Sequence, residues 1–147
     1  MYHHLKGILV EKKINTLVLE VQGIGYLVSV TSYTLESLPP IGEEVSILVY
    51  PVFRENEISL CGFSTHEERG LFLSLIRVSG IGPSTALQIL GQAPLQILVR
   101  AIVTSDLIFL KSIKGLGKKT AERIIVELRD QLKQSSSCSA ASPRNFS

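Results

Sequence analysis

The 147-residue chain is poor in the residues that build metal and disulfide sites, with two cysteines and three histidines in all. Cys61 falls in an expected strand and Cys138 in a serine-rich stretch, a pattern that specifies neither a disulfide framework nor a spaced Cys/His zinc site. His3, His4 and His66 are too few and too scattered for a metal centre. No apolar run approaches the roughly 20 residues that a membrane-spanning helix needs. With no leader-like segment at its start, the expectation is a reduced, cytoplasmic protein without membrane contact. A nucleotide-binding loop is lacking too. Around Gly117-Lys118 a P-loop would need glycine five residues before that pair and Ser or Thr straight after it, where Ser112 and Lys119 stand. A dinucleotide fingerprint would need a preceding strand, whereas SDLIFLKSIK (105–114) reads as a short apolar helix.

What is present is a repeated stretch. SGIGPSTALQIL (79–90) aligns with KGLGKKTAERII (114–125) at an offset of 35 residues, 115 − 80. Gly80 pairs with Gly115, Gly82 with Gly117, Thr85 with Thr120, Ala86 with Ala121 and Ile89 with Ile124. Upstream, Leu75 and Val78 pair with Leu110 and Ile113, so each unit reads as helix, Gly-apolar-Gly hairpin, helix. Glycines let such a turn take positive φ, and the free amides of the next helix attract anions. Lys118, Lys119 and Arg123 add charge beside the second turn, while Pro83 and Ser84 occupy the lysine positions in the first. The first notch is therefore expected to rely on backbone amides and the second to carry more electrostatic affinity. A single Gly-apolar-Gly carries little weight: in QGIGYLV (22–28) the glycines precede alternating apolar residues and read as a strand bulge or turn. Two copies, each flanked by helical patterns, point to the phosphate backbone of a nucleic acid.

Charge divides the same way. Residues 1–63 hold four Lys or Arg against seven Asp or Glu, a net of −3, and residues 64–147 hold eleven against six, a net of +5. The hairpins lie in the basic part, as phosphate binding requires. The acidic part reads as β. LKGILVEKK, TLVLEVQGIGYLVSV, EEVSILVYPVF and ISLCGF are rich in Val, Ile and Leu with period-two stretches. About five short strands suit a Greek-key barrel of the OB-fold type. SYTLESL is expected as a short helix or turn between strands. From STHEERGLFLSLIRV the period becomes helical, with Ser64 or Thr65 as cap and Leu71, Phe72, Leu75 and Ile76 as buried stripe. The expected architecture is α+β and multi-domain: an OB-fold barrel over 1–63, an all-α tandem helix-hairpin-helix domain over 64–134, and a flexible serine-rich linker or tail over 135–147.

LKGILVEK, VQGIGYLV, the acidic turn after VFRE, the LCGF closure and the hairpins GIGPSTALQIL and GLGKKTAERIIVEL together resemble the RuvA family of bacterial Holliday-junction recognition subunits, over about residues 1–134. The resemblance implies a homotetramer, or an octamer, that holds four-way junction DNA open and square. Each hairpin pair would grip the backbone of one arm through Gly80, Gly82, Pro83, Ser84 and Thr85 and through Gly115, Gly117, Lys118, Lys119, Thr120 and Arg123. It further implies an acidic pin at the centre of the tetramer, here within Glu55, Asn56 and Glu57. The family pin usually shows two adjacent acids, so Asn56 departs from it, leaving Glu55 as the principal acid and Glu57 as substitute. The first family hairpin often has lysine where Ser84 stands. Implied partners are a RuvB-type hexameric ATPase, which would use the ATP and magnesium, and a RuvC-type resolvase; the chain itself would need no cofactor. The family usually carries a third small helical domain that binds the motor. The sequence stops at Ser147, in what resembles the linker before that domain, which leaves motor coupling open.

Two other functional classes fit parts of the sequence. A structure-specific nuclease or a glycosylase would need catalytic acids near the hairpins, where Asp106, Glu122, Glu127 and Asp130 stand, most of them at helical spacings that suit pairing with Arg123, Arg129 and Lys133. A single-strand binder working through the barrel would need a basic, aromatic-lined groove.

Overall fold

The computed structural model describes residues 2–139. Five strands come first: β1 (His4–Lys12), β2 (Thr16–Val21), β3 (Ile24–Ser29), β4 (Glu44–Phe53) and β5 (Ile58–Phe63), with the short helix α1 (Ser32–Glu36) between β3 and β4. They close into a barrel in the order β1-β2-β3-β5-β4, with β4 returning to β1. All pairings are antiparallel except β3 with β5, where Val28 and Ser29 run alongside Leu60 and Cys61. This is the expected five-strand OB-like barrel. Alternation explains the closure, since Leu5, Leu9, Leu17, Leu19, Val28, Ile47, Val49 and Leu60 point inward and form one cluster. A register shift between Leu9 and Glu11 lets β1 serve both β2 and β4. The turn between β2 and β3 has Gln22 and Gly23 both at positive φ, the backbone of a two-residue hairpin, so Gly23 turns the chain while Gly25 lies within β3.

Five helices follow: α2 (His66–Ile76), α3 (Pro83–Leu90), α4 (Leu95–Val103), α5 (Leu107–Ser112) and α6 (Lys118–Ser139). Helix α4 packs on α5 and α6, and α2 packs on α3. The expected end of the helical region at residue 134 falls inside α6, which continues to Ser139. Serine is only a moderate helix former, but no glycine or proline interrupts the segment before Pro143. The rest of the expected tail, 140–147, lies outside the described residues.

The two parts share a core. Val52, Cys61 and Phe63 of the barrel join the helical cluster around Leu71, Phe72, Leu75 and Leu98. The fully buried Phe63 and Phe72 have ring centroids 4.8 Å apart, and Tyr50 meets Phe72 edge-on at 5.4 Å. Polar contacts reinforce this junction. Glu68 is buried, and its carboxylate accepts from the hydroxyls of Thr31 (2.9 Å) and Thr34 (2.7 Å) and from the Ser64 amide (3.3 Å). Thr65 caps α2 by accepting from the Glu68 N–H at 3.1 Å. As in a capping box, the Glu68 side chain turns back toward its own helix start, at the Ser64 amide, and it also spans to α1. The barrel thus presents the helical hairpins from a fixed platform.

Candidate nucleic-acid interface

The two hairpins repeat in space what they repeat in sequence. In the first, the Ile81 amide donates to the Val78 carbonyl at 3.1 Å, and in the second the Leu116 amide donates to the Ile113 carbonyl at 3.1 Å. Gly80 has φ +94° and Gly115 φ +95°. The next turn starts identically, with Ala86 N–H to the Gly82 carbonyl and Ala121 N–H to the Gly117 carbonyl, each at 2.9 Å. The apolar residue between the glycines is the anchor. Ile81 and Leu116 are both buried, each worth about 1.5–3 kcal/mol of apolar burial. Ala86 with Ile89, and Ala121 with Ile124, are buried beneath them. The spacing therefore drives the apolar residue into the core and turns the flanking glycines to solvent.

Capping separates these helices from most of the others. Helices α1, α2 and α5 start with Thr31, Thr65 and Asp106, whose side chains accept from an amide of their own first turn. Gly82 precedes α3 and Gly117 precedes α6, and glycine has no side chain with which to cap. The first-turn amides of these two helices are left to face outward. Pro83 occupies the first position of α3, where its missing N–H costs nothing. Ser84, Lys118, Lys119 and Arg123 are exposed around the notches, and Thr85 and Thr120 are half-buried at their floors.

The units also reach across to one another. A Cβ at Gly80 would lie 3.6 Å from the Arg123 guanidinium and 3.7 Å from the Thr120 hydroxyl, both on α6. A Cβ at Gly115 would lie 3.1 Å from Oε1 of Gln88 on α3. Gln88 and Arg123 are themselves 35 residues apart, so each hairpin packs against the equivalent position of the other unit. That reciprocity is a pseudo-twofold relation, and it places two notches side by side.

The acidic turn joins β4 to β5. The Arg54 amide donates to the Glu57 carbonyl at 2.8 Å, closing the loop, and Glu55, Asn56 and Glu57 are all exposed. At its base, Phe53 pairs with Ile58 across the two strands, and both remain exposed.

Residues 1–62 match the family described as RuvA N terminal domain, and residues 72–130 match SAM-like Helix-hairpin-helix tandem. The chain is 41% identical over 146 residues to the Holliday junction branch migration complex subunit RuvA of Shewanella sediminis, covering 99% of this chain and 71% of that protein. It is 45% identical over 132 residues to the protein of the same description from Neisseria meningitidis, covering 90% and 68%. For Halorhodospira halophila the identity is 44% over 143 residues, covering 97% and 70%. The chain belongs to the RuvA family. In RuvA terms the barrel is the N-terminal domain, and the paired hairpins are its helix-hairpin-helix tandem.

Asp106 is the cap of α5, accepting from the Phe109 amide at 3.1 Å. Among the described residues no group of three or more His, Cys, Asp or Glu side chains is gathered as for a metal ion. Of the aromatics in the barrel half, Phe63 is fully buried and Tyr50 packs on Phe72, whereas Tyr2, Tyr33 and Phe53 are exposed. No single helix among the described residues is long and apolar enough to cross a membrane. Sequence reasoning missed the roles of Gln88 and Gln92 between the hairpins and of Glu68 in the seam between barrel and helices. Their roles depend on which surfaces meet, and residue type at those positions carries no signal of that.

Proposed function

We propose that the chain is a four-way-junction DNA-binding subunit. It holds a Holliday junction open and square for ATP-driven branch migration by a RuvB-type motor, in homologous recombination and DNA repair. The observation that carries this reading is the pair of glycine-capped hairpins in pseudo-twofold relation. Two strands of a duplex are themselves related by twofold axes, so paired notches suit one phosphate run on each strand of an arm. Gly80, Gly82, Ser84 and Thr85 offer backbone amides and hydroxyls to one run. Gly115, Gly117 and Thr120 serve the other, with Lys118, Lys119 and Arg123 neutralising phosphate charge. Contacts of this kind position the protein on DNA without reading its sequence.

The reading includes a homotetramer or an octamer, with the turns of four protomers at the crossover. Ile24, Leu27, Phe53 and Ile58 support it, being apolar barrel side chains more than half exposed in the single chain. Carboxylates of Glu55 and Glu57 on that axis repel phosphates, and so keep the arms apart and the strands separated. The chain performs no catalysis and needs no cofactor of its own; ATP and magnesium serve the motor. A RuvC-type resolvase acts on the same opened junction, and the compartment is the bacterial cytoplasm.

The test is a competition gel shift on a synthetic four-way junction, with linear duplex and single strand of matching sequence as competitors. Strong preference for the junction is expected. Equal affinity for linear duplex would contradict the reading, and magnesium-dependent nicking by the purified chain would replace it with a nuclease.

A further inference from the structure

Between the two hairpins lies a polar contact that serves neither the core nor the DNA surface directly. Gln92 follows the C-terminal turn of α3, which is closed by Gly91 N–H to the Leu87 carbonyl and Gln92 N–H to the Ile89 carbonyl. Its carboxamide pairs with both backbone groups of Lys114. Nε2 donates to the Lys114 carbonyl at 2.6 Å, and Oε1 accepts from the Lys114 N–H at 2.8 Å. Nε2 also donates to the Gln88 carbonyl at 3.2 Å. Lys114 immediately precedes Gly115, whose positive φ starts the second hairpin. Gln88, one turn earlier on α3, covers Gly115. In the other direction Arg123 of α6 donates to the carbonyl of Ser79, at the position equivalent to Lys114, at 3.4 Å.

Gln92 and Lys114 are exposed. Hydrogen bonds open to water add little to stability, so this pair contributes little to holding the fold. It instead fixes the orientation of one peptide plane at the entrance to a turn, whose following amides are the ones left open. Holding that turn before DNA arrives lowers the ordering cost of binding. We propose that Gln92 is a positioning residue for DNA binding: its carboxamide locks the second hairpin in the geometry that accepts phosphate, without touching DNA itself. Both faces of the carboxamide are already occupied by Lys114, and the first unit thereby sets the conformation of the second. The proposal rests on the DNA-backbone reading of the hairpins.

The experiment combines Gln92→Met, which keeps the length of the side chain and removes its polar atoms, with amide hydrogen exchange and junction titration. In the DNA-free protein, exchange at Lys114 is expected to quicken in Gln92→Met while the thermal midpoint stays near wild type. Affinity for a synthetic four-way junction is expected to fall about three- to tenfold, the cost of ordering one turn on binding when the carboxamide no longer holds it beforehand. In a Lys118→Ala/Lys119→Ala background the same substitution is expected to cost less than about twofold, because its effect passes through the second hairpin. Unchanged exchange at Lys114, unchanged affinity, or a loss of equal size in both backgrounds would each overturn the proposal. A wild-type chain that binds no junction would overturn the functional reading and the positioning role with it. Exchange at Lys114, measured without DNA, reports separately whether the brace exists.

Discussion

Gly80 and Gly115 share one backbone conformation but not one environment. Alanine at either position is strained by the positive φ, at about 1–2 kcal/mol. At Gly80 the new methyl group would make ordinary contacts of 3.6–3.7 Å, whereas at Gly115 it would press on Gln88 at 3.1 Å. Gly115→Ala should therefore lower the urea midpoint more than Gly80→Ala, and equal losses would show that the Gln88 contact is easily relieved. Lys118 and Lys119 are exposed beside the second notch and answer to salt rather than to stability. Replacing both with alanine should weaken junction binding and reduce the slope of log affinity against log salt by about one or two units per duplex gripped. An unchanged slope would mean that these lysines never meet phosphate. At this scale the sequence was informative because the repeat names its own residues: glycines at equal spacing and alanines and isoleucines beneath them. The reach of Arg123 to Ser79 was not legible. Its spacing from Glu127 suggested surface pairing, and the packing of α6 against the first hairpin supplied a carbonyl instead.

Helix α2 shows how an element can be recognised while its purpose is missed. Thr65 caps it and Leu71, Phe72 and Leu75 are buried as the helical period requires, but Glu68 points into the seam between barrel and helices. Removing partners of a buried carboxylate leaves it underbonded, at about 1–3 kcal/mol. Thr34→Val removes one hydroxyl from it. Thr31→Val removes another and also the cap of α1, where the Thr31 hydroxyl accepts from the Thr34 amide at 3.2 Å. Chemical denaturation should rank Thr31→Val as the more destabilising; the reverse order would mean the cap contributes nothing. Strand β5 supplies a pH dependence. Burial pushes the Cys61 thiol up from its ordinary 9.0 to about 11, against a smaller opposing pull from Arg54. The unfolded thiol ionises first, so this contribution to stability is fully present below pH 9.0 and is lost as pH rises through about 11. Stability measured over that window should fall for the native chain and fall less for Cys61→Ala.

Across the whole molecule, the order of barrel then hairpins was readable from the change in hydrophobic period near residue 63, where β5 ends. The shared core was not, because Phe63 and Phe72 look alike whether they face separate cores or each other. That core makes barrel and hairpins one platform, and the proposed tetramer would assemble through the exposed apolar barrel side chains. Leu27→Lys or Ile58→Lys should shift sedimentation from a tetramer toward smaller species, and an unaltered tetramer would place the interface elsewhere. The central claim, that two symmetric notches grip two strands, is tested most directly by hydroxyl-radical footprinting of a four-way junction saturated with the protein. The account predicts short protected segments on both strands of every arm, facing each other across the minor groove and independent of base sequence. Protection confined to one strand of each arm, or following the base sequence, would contradict it.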